Sequence, residues 1–453
     1  RDLISKGAMI LLIVVLVTAE SVSAVCSAFD TIGNTQRDTY YENYDDITGL
    51  VESRSDEFAR MEINGNYILN CPAFYHYKGL SQFSSSVNAD TTALMEAIGL
   101  EGEPGKNRFN YNQTDPVTNA MLNVKYLISK NLPLDDPDFV QVDRQGNSYL
   151  YESRYPLSIG YMAGNEIRTW DTHSGNPFEV LNSYVRSATS NRYDSVFESA
   201  GKPQLYTANI KAENSGSGKV STQTEDQSKK SEVVMRYKAT ATQKYYVFVE
   251  ADNADEIIAN ENIEDLDEIQ IRSDCGSIVN IGTVREGEEF TVTVKFDAGD
   301  AGDITCHVCS LDYEAWDGAY EMLSEHMLEV TDSGDRFIRG TIDAGDGGMR
   351  VTSVPYERGW TLKVDGVKKE IHEKTGGVFI STSLDAGEHE IELSFTPPGI
   401  IAGSIATCIS IMILAAYTIL RKRRLMKLRA RLVSTLSEAA VSQQEVSDCN
   451  KTL

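Results

Sequence analysis

The sequence has few of the residues that build metal centres, redox pairs or disulfide scaffolds. Its seven cysteines are scattered over 453 residues, too sparsely for a disulfide framework. The one close pair, Cys306-His307-Val308-Cys309, has no second ligand pair at matching spacing and no βαβ setting, so zinc and thioredoxin-type chemistry lack their other components. Ile304, Cys306 and Val308 alternate at period two, which predicts a strand with a buried thiol. The six histidines are dispersed, and there is no nucleophile elbow, HExxH motif or glycine-rich phosphate cradle. Asp343 to Gly348 lacks the ligand ladder and closing Glu of an EF-hand, and no Lys-Ser/Thr follows it as in a P-loop, so it reads as a turn. The sequence assigns no catalytic residue and no metal ligand. Positive charge is short as well. Net charge is −25, and between Asp30 and Pro398 acidic residues outnumber basic ones by about thirty. Such a surface repels a polyphosphate backbone and excludes nucleic acid as a partner.

Long apolar runs occur only near the two ends. Gly7 to about Phe29 is apolar and small-residue-rich over a length that crosses a bilayer, behind Arg1 and Lys6. It has two readings. One is a retained transmembrane helix with Glu20 near the far interface, contacting polar substrate or snorkelling to water. The other is a secretory signal ending at Val22-Ser23-Ala24. Gly399 to Leu420 is an uncharged apolar span followed at once by Arg421-Lys422-Arg423-Arg424. By the positive-inside rule, residues 421–453 form a basic cytoplasmic tail lying on anionic lipid, and the folded region lies outside.

Between these ends the reading is α+β, predominantly β. Residues 30–192 read as a mixed α/β domain. Strands are expected at Met61–Leu69, Val124–Ser129 and Tyr149–Tyr151, and a helix at Asp90–Leu100. Tyrosine is dense here, and Tyr75, Tyr77 and Gln82, in the loop from Tyr75 to Ser86, are candidate ligand contacts. Asn112-Gln113-Thr114 fits a glycosylation sequon. Residues 193–230 include a polar Ser/Gly/Glu-rich stretch and read as a linker or long loop. Residues 231–318 carry short alternating strands of an antiparallel sandwich, a helix is expected at Asp312–Met327, and residues 319–398 form a terminal sandwich. In that last part Trp360, Leu362 and Val364 alternate into an Asp365-Gly366 turn, predicting a hairpin. Phe379 to Phe395 predicts a second hairpin around Asp385-Ala386-Gly387, and Pro397-Pro398 ends the sheet.

The pattern Gly359-Trp360, Asp365-Gly366, Gly377, Phe379, Gly387, Pro397-Pro398-Gly399 followed by a final span resembles the C-terminal end of the YfhO family of bacterial multi-span membrane proteins. Leu122-Asn123-Val124-Lys125-Tyr126-Leu127-Ile128 resembles a strand of that family's external domain. The resemblance implies that the chain is the C-terminal part of a GT-C-like glycosyltransferase of the bacterial cytoplasmic membrane, with further membrane helices upstream. Such enzymes take a sugar from a polyprenyl phosphate and place it on an envelope glycopolymer such as a teichoic acid. It also implies that the catalytic loop lies N-terminal of Arg1, so the chain itself needs no cofactor beyond that sugar donor. The alternative from composition alone is a non-catalytic, membrane-anchored surface protein with an adhesive or carbohydrate-binding β-rich ectodomain.

Overall fold

A computed structural model of the chain describes residues 5–31, 41–55, 58–65, 69–102, 107–112, 115–173, 175–263, 266–273 and 275–449. The first element, α1 (Lys6–Thr31), is one continuous helix. Its Gly7–Ala28 stretch is long and apolar enough to cross a membrane.

The first folded unit contains α2 (Tyr44–Glu52), β1 (Arg60–Asn64), α3 (Cys71–Tyr75), β2 (Gln82–Phe83), α4 (Ala89–Ala97), β3 (Glu101–Gly102), β4 (Arg108–Asn110), α5 (Pro116–Met121), β5 (Val124–Lys130), β6 (Phe139–Gln145) and β7 (Ser148–Ser153). Its main sheet has the order β1-β5-β7-β6, with β1 parallel to β5. One face carries Met61, Ile63, Tyr126, Ile128 and Leu150 against α2 and α3. The other turns Leu127 and Tyr151 toward a larger core. The helix starts follow from their caps. Asn88 Oδ1 accepts the Asp90 amide at 3.0 Å, and the buried Asp115 accepts Thr118 N and Oγ1, each at 2.8 Å, with Pro116 opening α5. The strand expected at Met61–Leu69 stops at Asn64, and part of that stretch lies outside the described residues. Gln113 and Thr114 of the sequon also lie outside them.

After β8 (Gly160–Ala163) and α6 (Pro177–Ala188) comes the middle sandwich: β9 (Phe197–Ser199), β10 (Gln204–Ala208), β11 (Ile210–Gly216), β12 (Lys219–Thr224), β13 (Ser231–Lys238), β14 (Gln243–Ala251), β15 (Glu256–Ala259), β16 (Ile269–Ile271), β17 (Ile278–Val284), β18 (Glu289–Phe296) and β19 (Ile304–Leu311). One sheet runs β10-β13-β18-β15-β16 and the other β11-β12-β19-β14-β17, with β9 also on β19. The reading of 193–230 as a linker is corrected here, because β9 to β12 are paired strands. Their polar composition is that of a solvent face: in β11 and β12 only Ile210 and Val220 are buried, with the half-buried Ala212 packed beside them.

The last unit contains α7 (Tyr313–Ser324), β20 (Glu329–Gly334), β21 (Phe337–Asp343), β22 (Gly348–Pro355), β23 (Trp360–Val364), β24 (Val367–Lys369), β25 (Glu373–Thr375), β26 (Phe379–Leu384) and β27 (Glu388–Phe395). It is an antiparallel sandwich of sheets β20-β21-β27-β23-β24 and β25-β26-β22-β8. Its last strand therefore comes from Gly160–Ala163, inside the segment expected to belong to the α/β domain. The Asp365-Gly366 hairpin forms, with φ of 53° and 75°. The second expected hairpin does not: β26 and β27 lie in different sheets, so Asp385 to Gly387 crosses between layers. Alternation alone reports a turn, not which sheet receives the next strand.

A shared core ties the units together. It joins Leu94, Leu127 and Tyr151 of the first unit, Phe178 and Tyr184 of α6, Tyr246 and Ile278 of the middle sandwich, Trp316 of α7 and Phe379 of the terminal sandwich. A buried ionic cluster sits beside it. Lys244 on β14 donates to Asp136 and, at 2.7 Å, to Asp138, both in the segment before β6. Tyr313 donates to Asp138 at 2.9 Å and Asn280 to Asp136 at 3.3 Å. One ammonium therefore faces two carboxylates out of water, and burial holds the Asp136 carboxyl above its usual range. The chain leaves through Pro397-Pro398-Gly399 into α8 (Ile400–Cys449), whose Ile400–Val433 part is the second stretch able to cross a membrane.

Candidate functional site

The loop from Tyr75 to Ser86 is organised from beneath by Glu62, a residue that the sequence pattern did not single out. Glu62 is central in β1 and 1% exposed. Its Oε1 accepts the amides of Leu80 and, at 3.0 Å, Ser81, while Oε2 accepts the Ser81 hydroxyl at 3.2 Å. Ser81 Oγ in turn accepts the Tyr111 amide at 3.0 Å. Burial outweighs these bonds and raises the Glu62 carboxyl to about 7. The only hint in the sequence was a charged residue among Met61, Ile63 and the other apolar positions of a strand.

The candidate contacts of the loop separate. Tyr75 is buried behind the main sheet, edge-on to Phe74 at 4.8 Å, and presents no ligand surface. Tyr77 is half-buried. Its hydroxyl lies 2.7 Å from Cys71 Sγ, and the same buried setting pushes the thiol up to about 12. Gln82 lines a crevice of about 260 Å³ between the loop and the terminal sandwich. Glu20 lies in α1, away from the loop in sequence and in an apolar stretch.

The crevice brings Gln82 together with Thr91, Glu357, Trp360 and Phe395. Trp360 and Phe395 are register partners, with ring centroids 5.2 Å apart. Thr91 Oγ1 is buried and has no hydrogen-bond partner among the described residues. An aromatic pair beside an amide and a carboxylate suits a ring with one apolar face and several hydroxyls. The site stands where the fold returns to the apolar helix, since β27 ends at Phe395 and α8 begins at Ile400. Gly359 makes that exit possible: its φ is 118°, and a Cβ there would come 2.3 Å from Thr396 O.

The other pattern residues have structural surroundings. Asn123 takes φ 59° and donates Nδ2 to Leu157 O. Lys125 pairs with Glu152 at 3.3 Å and lies over the buried Tyr126 ring. Asp365 accepts the Glu390 amide at 2.9 Å and faces His389 Nδ1 at 2.8 Å, tying the Asp365-Gly366 turn to β27. Pro397, Pro398 and Gly399, the last with φ 81°, form the exit to α8. Cys306 joins Ile304 and Val308 in the middle sandwich core, whereas Cys309 faces the shared core. The two thiols point to opposite sides of β19 and cannot close on one ion.

The chain thus has the build of a membrane-associated protein, with a large β-rich region between two helices able to cross a bilayer. It belongs to the YfhO family: the family described as "Bacterial membrane protein YfhO" matches residues 3–407. A curated relative, "Uncharacterized protein YfhO" of Bacillus subtilis (strain 168), is 37% identical over 70 residues, which is 16% of this chain and 8% of that relative. The match thus spans a small fraction of the relative's length. Among solved structures, a family 35 carbohydrate binding module from Clostridium thermocellum is 11% identical with a TM-score of 0.17, covering 25% of this chain and 95% of that one. The Podospora anserina GH26-CBM35 β-(1,4)-mannanase is 15% identical with a TM-score of 0.18, covering 26% and 27%. Overlaps this small carry no argument about fold or ligand.

Proposed function

We propose that the chain is the C-terminal extracytoplasmic region and last membrane span of a glycosyltransferase that uses a polyprenyl-phosphate sugar to modify an envelope glycopolymer such as a teichoic acid. The observation that carries this reading is the crevice at the root of the last span. Trp360 and Phe395 offer an aromatic wall there, and Gln82 and Glu357 offer polar groups, a few residues before the apolar helix begins. Transfer would also need a carboxylate base for the acceptor hydroxyl and cationic groups for the departing phosphate. No residue of this chain is assigned either role, and the resemblance puts them in the first external loop, N-terminal of Arg1. The crevice would position the acceptor. The basic run Arg421 to Arg424 after the apolar stretch supports a cytoplasmic C-terminus, an external folded region and a multi-pass protein of the bacterial cytoplasmic membrane.

The test is transfer from a radiolabelled polyprenyl-phosphate sugar in vesicles that carry the full-length protein. Trp360→Ala should lower transfer about five- to thirtyfold, the loss of one stacking platform of roughly 1–2 kcal/mol, while circular dichroism at the assay temperature shows the protein still folded. Unchanged transfer would remove the crevice from the acceptor path, and no transfer by the parent protein would sink the enzyme reading. A non-catalytic surface protein with a saccharide-binding ectodomain is the second reading, favoured by a polar cavity in the middle sandwich.

A further inference from the structure

That cavity, of about 440 Å³, lies on the flank of the middle sandwich, between the first turn of α6 and the tip of the β11–β12 hairpin. Its volume is within the usual range of about 300–1,000 Å³ for small-ligand sites. The floor is formed by Phe178, Phe197 and Val308, and the polar rim by Asn176, Glu179, Lys202, Asn214 and His307. Gly218 lets the hairpin close on this wall: its φ is 73°, and a Cβ there would meet His307 Cε1 at 2.6 Å and Cys306 O at 2.7 Å.

The hydrogen bonds around the rim fix what it can offer. Asn176 caps α6, its Oδ1 accepting Phe178 N at 3.0 Å and Glu179 N at 3.2 Å. Its Nδ2 is therefore the atom left to face His307 Nδ1, at 3.2 Å. An amide N–H aimed at Nδ1 makes that nitrogen an acceptor and puts the ring proton on Nε2. Burial lowers the His307 pKa, which keeps the imidazole neutral. Asn214 Oδ1 accepts Gly216 N at 3.0 Å, leaving its Nδ2 as a donor. The rim thus combines an imidazole N–H, an amide N–H, the Glu179 carboxylate and the Lys202 ammonium, with formal charges that cancel.

We infer that this cavity binds an uncharged, hydroxyl-rich ring, a single sugar unit, through Glu179, His307, Asn214 and Lys202. Hydroxyls serve as both donors and acceptors, so they can pair with all four groups, and an apolar ring face can lie on the floor. A polyanion would meet Glu179. The inference rests on the saccharide context of the proposed function but concerns a separate site: this cavity and the Trp360 crevice share no lining residue.

The experiment is calorimetric titration of the detergent-solubilised full chain with D-glucose, N-acetyl-D-glucosamine and glycine. At least one of the two sugars should bind and glycine should not. Glu179→Ala and Asn176→Asp should each weaken that binding about tenfold or more. Asn176→Asp preserves the helix cap but presents only acceptors to His307 Nδ1, which moves the ring proton to that nitrogen or charges the ring. Absence of sugar binding at tens of millimolar, binding of glycine instead, or unaltered sugar affinity in both cavity variants would each overturn the assignment. Sugar binding that persists in both cavity variants but is lost in Trp360→Ala would place the sugar in the crevice and overturn the assignment as well. Because the readout is binding to this chain, it is independent of transfer. A parent that transfers sugar but fails the titration sinks only the cavity, and one that passes the titration without transferring sinks only the enzyme reading.

Discussion

Arg350 lies in the middle of β22 with no exposed surface, and none of its guanidinium nitrogens has a hydrogen-bond partner among the described residues. Desolvation alone lowers its pKa to about 10. Its register neighbours across the sheet are Met162 and Thr382, neither of them an anion. A buried cation without compensation is destabilising, and an apolar side chain of similar volume removes the penalty. Arg350→Leu should therefore raise unfolding free energy by about 1–3 kcal/mol in urea titrations. A loss of stability would mean that the guanidinium has an acceptor after all. Lys244 is the opposite case, a buried cation with two anionic partners. Lys244→Met leaves Asp136 and Asp138 facing each other without a counter-charge, and the same titration should show a loss of about 3–5 kcal/mol.

Two glycines of the terminal sandwich look alike in sequence and differ sharply in surroundings. Gly366 has φ 75° with open space around it, whereas at Gly359 the first added carbon meets the backbone of Thr396. Gly366→Ala should cost about 1 kcal/mol, the price of a strained turn conformation. Gly359→Ala should cost clearly more and should also loosen the β23–β27 pair where the chain exits to α8, seen as faster proteolysis near Pro397. Equal melting shifts for the two variants would contradict this ranking.

Legibility followed the same local logic. The Asp365-Gly366 turn, the strand at Val124 and the helix after Asp312 were readable because each is set by neighbours in sequence. Strands β11 and β12 were not, since a hairpin lying on the outside of a sandwich needs only Ile210, Ala212 and Val220 to be apolar and otherwise resembles a linker. The role of Glu62 was hidden because its partners lie on a loop well downstream, and the cavity beside His307 because Asn176 and Asn214 meet it only after two sheets have closed.

For the whole molecule, pH should act through carboxyls that folding removes from water. Burial raises Glu62 from 4.5 to about 7 and Asp115 from 3.8 to about 6, and it raises Asp136 as well. A carboxyl whose folded pKa lies above its unfolded one holds its proton more tightly in the native state. Its contribution is fully present below the unfolded pKa and is lost as pH rises through the folded one. The folded region should therefore be more stable near pH 5 than near pH 8, with the fall running from the ordinary carboxyl range of about 4 up to about 6 for Asp115 and about 7 for Glu62 and levelling off above. Easing of repulsion in so acidic a region acts in the same direction. Thermal midpoints across pH 5–8 test this, and Glu62→Gln should flatten the upper part of the curve. A midpoint that rose with pH would contradict it.

The middle sandwich begins and ends at the same place. Its first strand, β9, pairs antiparallel with the end of its last, β19, so that Phe197 lies opposite Leu311. The polypeptide enters and leaves this body at two adjacent ends, whatever length loops out between them, although Tyr246 and Ile278 also pack into the shared core. Evolution could therefore enlarge, exchange or discard the whole sandwich as a cassette. The conditions are that the doorway stays zipped, that apolar side chains fill the places of Tyr246 and Ile278, and that whatever replaces Lys244 neutralises the two aspartates waiting beside it.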